Sequence, residues 1–378
     1  MKPKEICRQF DIVEDISVEE INVGHINNTY IVHTKNDRYV LQRLQRCMDV
    51  EKLEYNYNLY SSVCDEHGWI YPMWLKTNSG LFFYKDSDGF YWRMYSFIEG
   101  EILNLPLSDE QLSACGQGLA AMHSVFRNIE RDPKAVFPTL HDLGYYYGEY
   151  LRITRCEKPS GRIRNAYDTE AVSTVKNIIK ESEKNPAESL KRDLFLEEII
   201  ESRVCDVTRE VIESRVCDVS REVIESRICD AHREITESNI CDTLDIITPG
   251  ISVVHGDTKL SNLIFRSGRV VGCLDMDTVM KGSLLEDIAD CIRSCCICDG
   301  RFDEAAAVKL VRGYASTCGA MSEDTLLNTL PDIFNKICLE LGLRYYTDSV
   351  SKEKTFIEKY PGYCRERAKI MLSLTWKK

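Results

Sequence analysis

Val253–Phe265 reads VVHGDTKLSNLIF and Val270–Thr278 reads VVGCLDMDT. An apolar run, a polar loop, a second apolar run, a turn at Ser267-Gly268 and a third apolar run predict three short strands. That order puts Asp257, Asn262 and Asp275 at the loop ends of one small sheet. Asp257 capping a turn and Asn262 bonding its own loop would each be an ordinary use of such residues. Three of them at the ends of buried strands, however, cost stability unless they are paired or bound to a cation.

Phosphoryl transfer needs such a cluster. A carboxylate must orient the attacking hydroxyl and accept its proton, and oxygen ligands must hold magnesium on the phosphates. Asp257 suits the first role; Asn262 and Asp275 suit the second.

Upstream, Ile12–Phe97 reads as strands and turns. Asn22–Val32 (NVGHINNTYIV) is a glycine turn followed by an alternating segment, and Arg38–Leu44 (RYVLQRL) is a second strand after Lys35-Asn36-Asp37. Met48–Cys64 has helical spacing, and Phe82–Tyr84 with Tyr91–Ile98 predicts a hairpin around Asp86–Gly89. From Ser108 the pattern changes. Gln111–Val125 sets Leu112, Cys115, Leu119 and Met122 on one helical face. Tyr145–Ile153, Thr169–Glu183, Leu284–Cys298, Glu304–Ser316 and Leu326–Tyr346 continue the helical theme. The expected class is therefore α+β: a small sheet with one helix at residues 1–98, then a larger, mainly helical lobe at 99–378.

The bulk properties agree with two lobes around a cleft, since 378 residues that are 44% hydrophobic can bury a large core. A net charge of -12 argues against a protein that wraps nucleic acid and offers no basic field to an anionic membrane. The opening MKPKEICRQFDIVEDISVEE has acids where a signal peptide needs an apolar stretch, and no apolar run reaches the roughly 18 residues of a membrane span. A cytoplasmic location is expected. The 17 cysteines then read as reduced thiols, and Cys291, Cys295, Cys296 and Cys298, which lack partners at zinc spacing, read as packed thiols on a buried helix.

A repeat interrupts the helical lobe at about 197–248. ESRVCDVTREVI begins at Glu201, and near-copies begin at Glu213, Glu225 and Glu237. Twelve residues at about 100° each would turn the apolar stripe of a straight helix by roughly 120° per unit, so a broken helical hairpin is the expected form. Deleting Glu201–Thr236 in whole units is expected to leave activity intact.

The HGD-xxxx-N loop, the D-x-D after it and Gly282–Arg293 (GSLLEDIADCIR) together resemble the aminoglycoside phosphotransferase and choline kinase superfamily, a relative of the protein kinases. Within it the sequence looks most like the N-acetylhexosamine 1-kinase group. The shared stretches are GHINNTYIV from Gly24, RYVLQRL from Arg38, WRMYSFIEG from Trp92, HGDTKLSNLI from His255, LDMDTVMKGSLLEDIADCIR from Leu274 and ELGLRYYTD from Glu340. They leave uncovered only the repeat and the region around Glu157–Asp193.

The resemblance implies a bilobal protein-kinase-like fold and an ATP- and Mg²⁺-dependent kinase. Its small-molecule acceptor would be the anomeric hydroxyl of an N-acetylhexosamine. Another acceptor kinase of the fold (choline, homoserine or aminoglycoside) and a non-catalytic scaffold are the rivals. Asp257 would be the catalytic base, and Asn262 and Asp275 the magnesium ligands. Gly24, Asn27 and Asn28 would cover the phosphates together with Gln42, and Phe97, Ile98 and Glu99 would form the hinge that reads adenine. Lys259, Arg344 and Asp348 would contact substrate; the last two, at i, i+4, suit a salt bridge as well. His25 is either a substrate contact or a turn residue. His255, Asp277 and Asp287 would be structural, with Asp287 bracing the catalytic loop. Two departures stand out. Gln42 occupies the strand position where kinases usually have lysine, a glutamine that the hexosamine kinases share, whereas Gly256 stands where that group tends to have asparagine.

Overall fold

The computed structural model describes residues 2–12, 16–21, 27–101, 103–156, 251–319, 321–351 and 354–377. Gly24, His25, the Thr169–Glu183 segment and the 12-residue repeat lie outside them.

The chain opens with helix α1 (Pro3–Cys7) and a five-stranded antiparallel sheet in the order β1-β2-β3-β5-β4. Its strands are β1 (Ser17–Ile21), β2 (Asn28–His33), β3 (Arg38–Arg43), β4 (Tyr84–Lys85) and β5 (Tyr91–Ser96). Alternation along the strands sends Val32, Leu41, Trp92 and Met94 to one face, where Ile6, Cys7 and Phe10 cover them. The other face carries Thr29, Gln42 and Arg93, which stand side by side because Thr29 pairs with Gln42 and Gln42 with Arg93. The hairpin is shorter than its sequence suggests: only Tyr84 and Lys85 pair with β5. Helix α2 (Val50–His67) starts on an Asp49 cap and stops where Gly68 turns left-handed. It buries Leu53, Tyr57 and Tyr60, and Tyr57 stacks on Trp74 at 4.3 Å.

The second part is built on helices. α3 (Asp109–Phe126), capped by Ser108 and Gln111, buries Leu112, Cys115, Leu119 and Met122, the stripe read from the sequence. α4 (Leu143–Cys156) precedes the undescribed stretch. Then come β6 (Ile251–Val254), β7 (Leu263–Arg266), β8 (Arg269–Cys273), β9 (Met280–Ser283), α5 (Leu284–Cys295) and the short pair β10 (Ile297–Cys298) and β11 (Arg301–Phe302). α6 (Glu304–Cys318), α7 (Glu323–Val350) and α8 (Tyr363–Ser373) complete it. α3 and α6 cross main chain to main chain. A Cβ on Gly116 would lie 2.0 Å from the Leu310 carbonyl oxygen, and one on Gly313 would lie 2.2 Å from that of Ser113.

The expected single sheet around the Asp257 loop is instead two antiparallel ladders, β6 with β9 and β7 with β8. The cause is local. Asp275 takes a left-handed backbone (φ 56°, ψ 53°) and a 3₁₀ turn follows at Met276–Thr278, returning Met280–Ser283 alongside β6. MKGS, with its lysine and glycine, carries no strand signal of its own.

The described cysteines form no disulfide, and Cys291, Cys295 and Cys296 are buried thiols. No helix among the described residues is long and apolar enough to cross a membrane.

Candidate active site

After β6 the chain turns sharply through His255–Thr258, and Gly256 takes φ +82°, a conformation that suits glycine. A side chain there would meet the Thr278 carbonyl oxygen at 2.8 Å. Asp287, 1% exposed in the first turn of α5, braces the turn. One carboxylate oxygen accepts the His255 N–H and the other the Gly256 N–H, both at 2.8 Å, while the Thr258 hydroxyl donates to the Asp287 carbonyl at 2.5 Å. His123 of α3 closes on the same carboxylate at 3.1 Å and meets the Tyr314 hydroxyl at 2.9 Å. Burial pushes the Asp287 carboxyl up, but His123 and the His255 amide outweigh it and hold the group below its ordinary value.

His255 ties the turn to the next loop. Its Nε2 donates to the Leu274 carbonyl at 2.8 Å and its Nδ1 accepts the Asp257 N–H at 3.2 Å. Asn262, in a 3₁₀ turn before β7, donates from Nδ2 to the Asp257 carbonyl (2.8 Å) and carboxylate (3.1 Å), and its own carbonyl accepts the Leu274 N–H at 2.7 Å. Asp257, Asn262 and Asp275 are thereby brought together. Lys259 stands among them: its ammonium hydrogen-bonds the Asp257 carboxylate and lies 3.9 Å from that of Asp275.

Burial would raise the Asp257 carboxyl, but Lys259 overrides it and holds it at about 2, while the two acids keep the ammonium charged. Asp275 moves upward, from burial first and then from the Asp277 and Asp257 charges, against Lys259. Like charges crowd here, and the ammonium marks a place that accepts a cation. Among the described residues no group of three or more His, Cys, Asp or Glu forms a closed metal cage. An oxygen-only set of Asp275 and Asn262 still fits magnesium, which takes one or two protein ligands and completes its shell with phosphates and water.

The other candidates are distributed around this centre. Phe97 donates its N–H to Arg38 at 3.0 Å and lies under the Arg38 guanidinium; Arg38 pairs with Glu99, whose carbonyl accepts from Arg266 at 3.0 Å. Beyond Ile98, Gly100 and Glu101 are strapped to β7, the latter through the Phe265 carbonyl. Asn27 accepts the Gln45 N–H at 3.2 Å, and Asn28 accepts from Arg43 at 2.9 Å. Arg344 reaches back a helical turn to Glu340, 3.5 Å away, rather than forward to Asp348. Asp348 accepts the N–H groups of Thr355 (2.7 Å) and Phe356 (2.6 Å), pinning the chain beyond α7.

Two features were not read from the sequence. Arg93 of β5 forms a two-pronged ion pair with Asp277 (2.5 and 2.7 Å) and also donates to the side-chain amide oxygen of Gln42 (2.9 and 2.7 Å). A lone arginine within an otherwise uncharged strand was the available signal. His141 donates to the Gly256 carbonyl at 3.0 Å and pairs with Glu340 of α7 at 3.4 Å, linking α7 to the His255–Thr258 turn.

Residues 181–321 match the model of a phosphotransferase enzyme family, and that span contains Asp257, Asn262, Asp275 and Asp287. The fold is kinase-like. The chain resembles the amicoumacin kinase hAmiN, solved with AMP-PNP, Ca²⁺ and Ami, at 10% identity over 99% of this chain and 95% of that one, with a TM-score of 0.54. It is also similar to the spectinomycin phosphotransferase APH(9)-Ia, solved with ADP and spectinomycin, at 14% identity over 99% and 98% of the two chains and a TM-score of 0.55. A choline kinase from Cryptosporidium parvum Iowa II aligns at 16% identity over 97% and 93%, with a TM-score of 0.50.

Proposed function

We propose that this chain is a magnesium-dependent kinase that moves the γ-phosphoryl group of ATP to the anomeric hydroxyl of an N-acetylhexosamine, giving the sugar 1-phosphate and ADP. The observation that carries the reading is that Asn262 and Lys259 meet on the Asp257 carboxylate while Asp275 lies 3.9 Å from the same ammonium. Residues 1–98 are the nucleotide lobe and 99–378 the catalytic and acceptor lobe.

In this reading Asp257 receives the proton of the acceptor hydroxyl as its oxygen bonds to the γ-phosphorus and the bond to the bridging oxygen of ADP breaks. Its low pKa keeps it ionised at neutral pH, ready to orient that hydroxyl. Lys259 lies within reach of charge that develops on the transferring group. Asn262 and Asp275 hold magnesium, which neutralises the phosphates when bound. The chain around Phe97–Glu99 reads adenine through its backbone.

Glutamine at position 42 favours one second reading, a scaffold of the same fold without catalysis. Both readings meet in one experiment: ADP release with ATP and magnesium against N-acetylglucosamine, N-acetylgalactosamine, choline, homoserine and an aminoglycoside. Release with either hexosamine, accompanied by an acid-labile sugar phosphate, is expected. Release with a cationic acceptor alone moves the enzyme to another branch of the fold. Release with no acceptor sinks the kinase reading.

A further inference from the structure

The sheet of the nucleotide lobe presents a polar row to the rest of the molecule. Thr29, Gln42 and Arg93 lie on three neighbouring strands in direct register, so their side chains share one face. Gln42 Nε2 contacts the Thr29 hydroxyl at 3.3 Å, and its Oε1 is taken by two donors of Arg93. The guanidinium then grips both oxygens of Asp277. Arg93 is 3% and Asp277 4% exposed, so each charge is consumed by the other and neither is open to a phosphate. Such a pair breaks only at high cost, because either charge alone would be stranded in the interior.

Asp277 lies two residues from Asp275, inside the 3₁₀ turn that follows the left-handed Asp275 backbone. The same loop is tied to the nucleotide lobe a second time, where Asn56 of α2 donates to the Val279 carbonyl at 3.2 Å. The Arg93 guanidinium rests on the Trp74 ring at 5.1 Å, which limits its alternatives. A kinase that uses a strand lysine places it at the position of Gln42. Here the charge comes from the next strand and is directed to the protein.

We propose that Arg93, held by Gln42, is a positioning residue that sets the 275–278 loop for its cation, tying the nucleotide lobe to the metal ligand in place of a strand lysine. The proposal rests on the kinase reading above. It excludes a direct contact between Arg93 and the nucleotide phosphates.

The test is the double variant Arg93→Met/Asp277→Asn, which removes both charges and leaves none stranded. Three quantities are read: ADP affinity in EDTA by calorimetry, Mn²⁺ affinity of the ADP complex by electron paramagnetic resonance, and the midpoint of thermal unfolding without ligands. The expected result is ADP affinity in EDTA within threefold of wild type, with Mn²⁺ affinity weakened tenfold or more. Unchanged Mn²⁺ affinity overturns the proposal, as does a tenfold loss of ADP affinity in EDTA, which would mark a direct phosphate contact. If the unfolding midpoint shows that the double variant does not fold, Arg93→Lys decides. It keeps the charge but loses the fork, so a loss of at least threefold in Mn²⁺ affinity is expected and wild-type affinity overturns the idea. Wild-type protein that binds no ADP at all refutes the kinase reading itself, a result distinct from either.

Discussion

The side-chain amide of Asn262 donates to both the main-chain carbonyl and the carboxylate of Asp257, at 2.8 and 3.1 Å. The proton acceptor of the proposed reaction is thus oriented by a proposed metal ligand. Asp257→Asn keeps the shape and removes the charge. Turnover is expected to fall roughly 10²–10⁴-fold, the usual range for losing a general base, with ADP affinity nearly unchanged. Steady-state kinetics and calorimetry on one preparation check both halves; wild-type turnover in the variant refutes the role.

Asp287 satisfies two buried backbone amides and His123 at once. Asp287→Ala leaves all three without their acceptor, so a loss of about 3–5 kcal/mol in unfolding free energy is expected. Urea denaturation followed by tryptophan fluorescence measures it. A loss below about 1 kcal/mol would show that the brace is dispensable.

His141 makes stability depend on alkali. Burial alone would lower its pKa, but Glu340 overrides this and lifts it from 6.5 to about 9. Because the folded value lies above the unfolded one, the proton stabilises the fold. The contribution is complete below about pH 6.5 and disappears as pH rises through about 9, on the order of 3 kcal/mol in all. Wild-type unfolding free energy should therefore decline between those values, while His141→Gln gives a flatter profile. Parallel profiles would dismiss the pair as a source of pH dependence.

Gly256→Ala places a methyl group 2.8 Å from the Thr278 carbonyl in a left-handed backbone. About 1–2 kcal/mol of strain is expected from the backbone alone. Since Thr278 belongs to the turn after Asp275, kcat should fall more than tenfold. Equal kcat in the variant would show that the turn tolerates displacement.

What the sequence disclosed was what has a period. Gln111–Val125 announced its buried stripe, and the alternation before Val32 with the polar turn before Arg38 announced β2 and β3, because each pattern is local. The loop motif announced that Asp257, Asn262 and Asp275 would meet, because short strands bracket them. β9 was invisible because its four residues form a strand only through the left-handed turn at Asp275. The Arg93–Asp277 and His141–Glu340 pairs join positions 184 and 199 residues apart, and no local spacing encodes such contacts. Arg344 and Asp348 illustrate the same limit. Their i, i+4 spacing allowed a mutual pair, yet each meets another partner supplied by the fold.

At Gly116 and Gly313 the backbones of α3 and α6 touch, so at those two points no side chain can change rotamer and soak up a shift. Tyr314, next to one of those glycines, holds His123, and His123 touches the acid that grips the HGD turn. The His255–Thr258 turn is therefore surveyed from a benchmark in the α3–α6 crossing. A methyl added at either glycine should displace the proposed site without altering one residue that borders it.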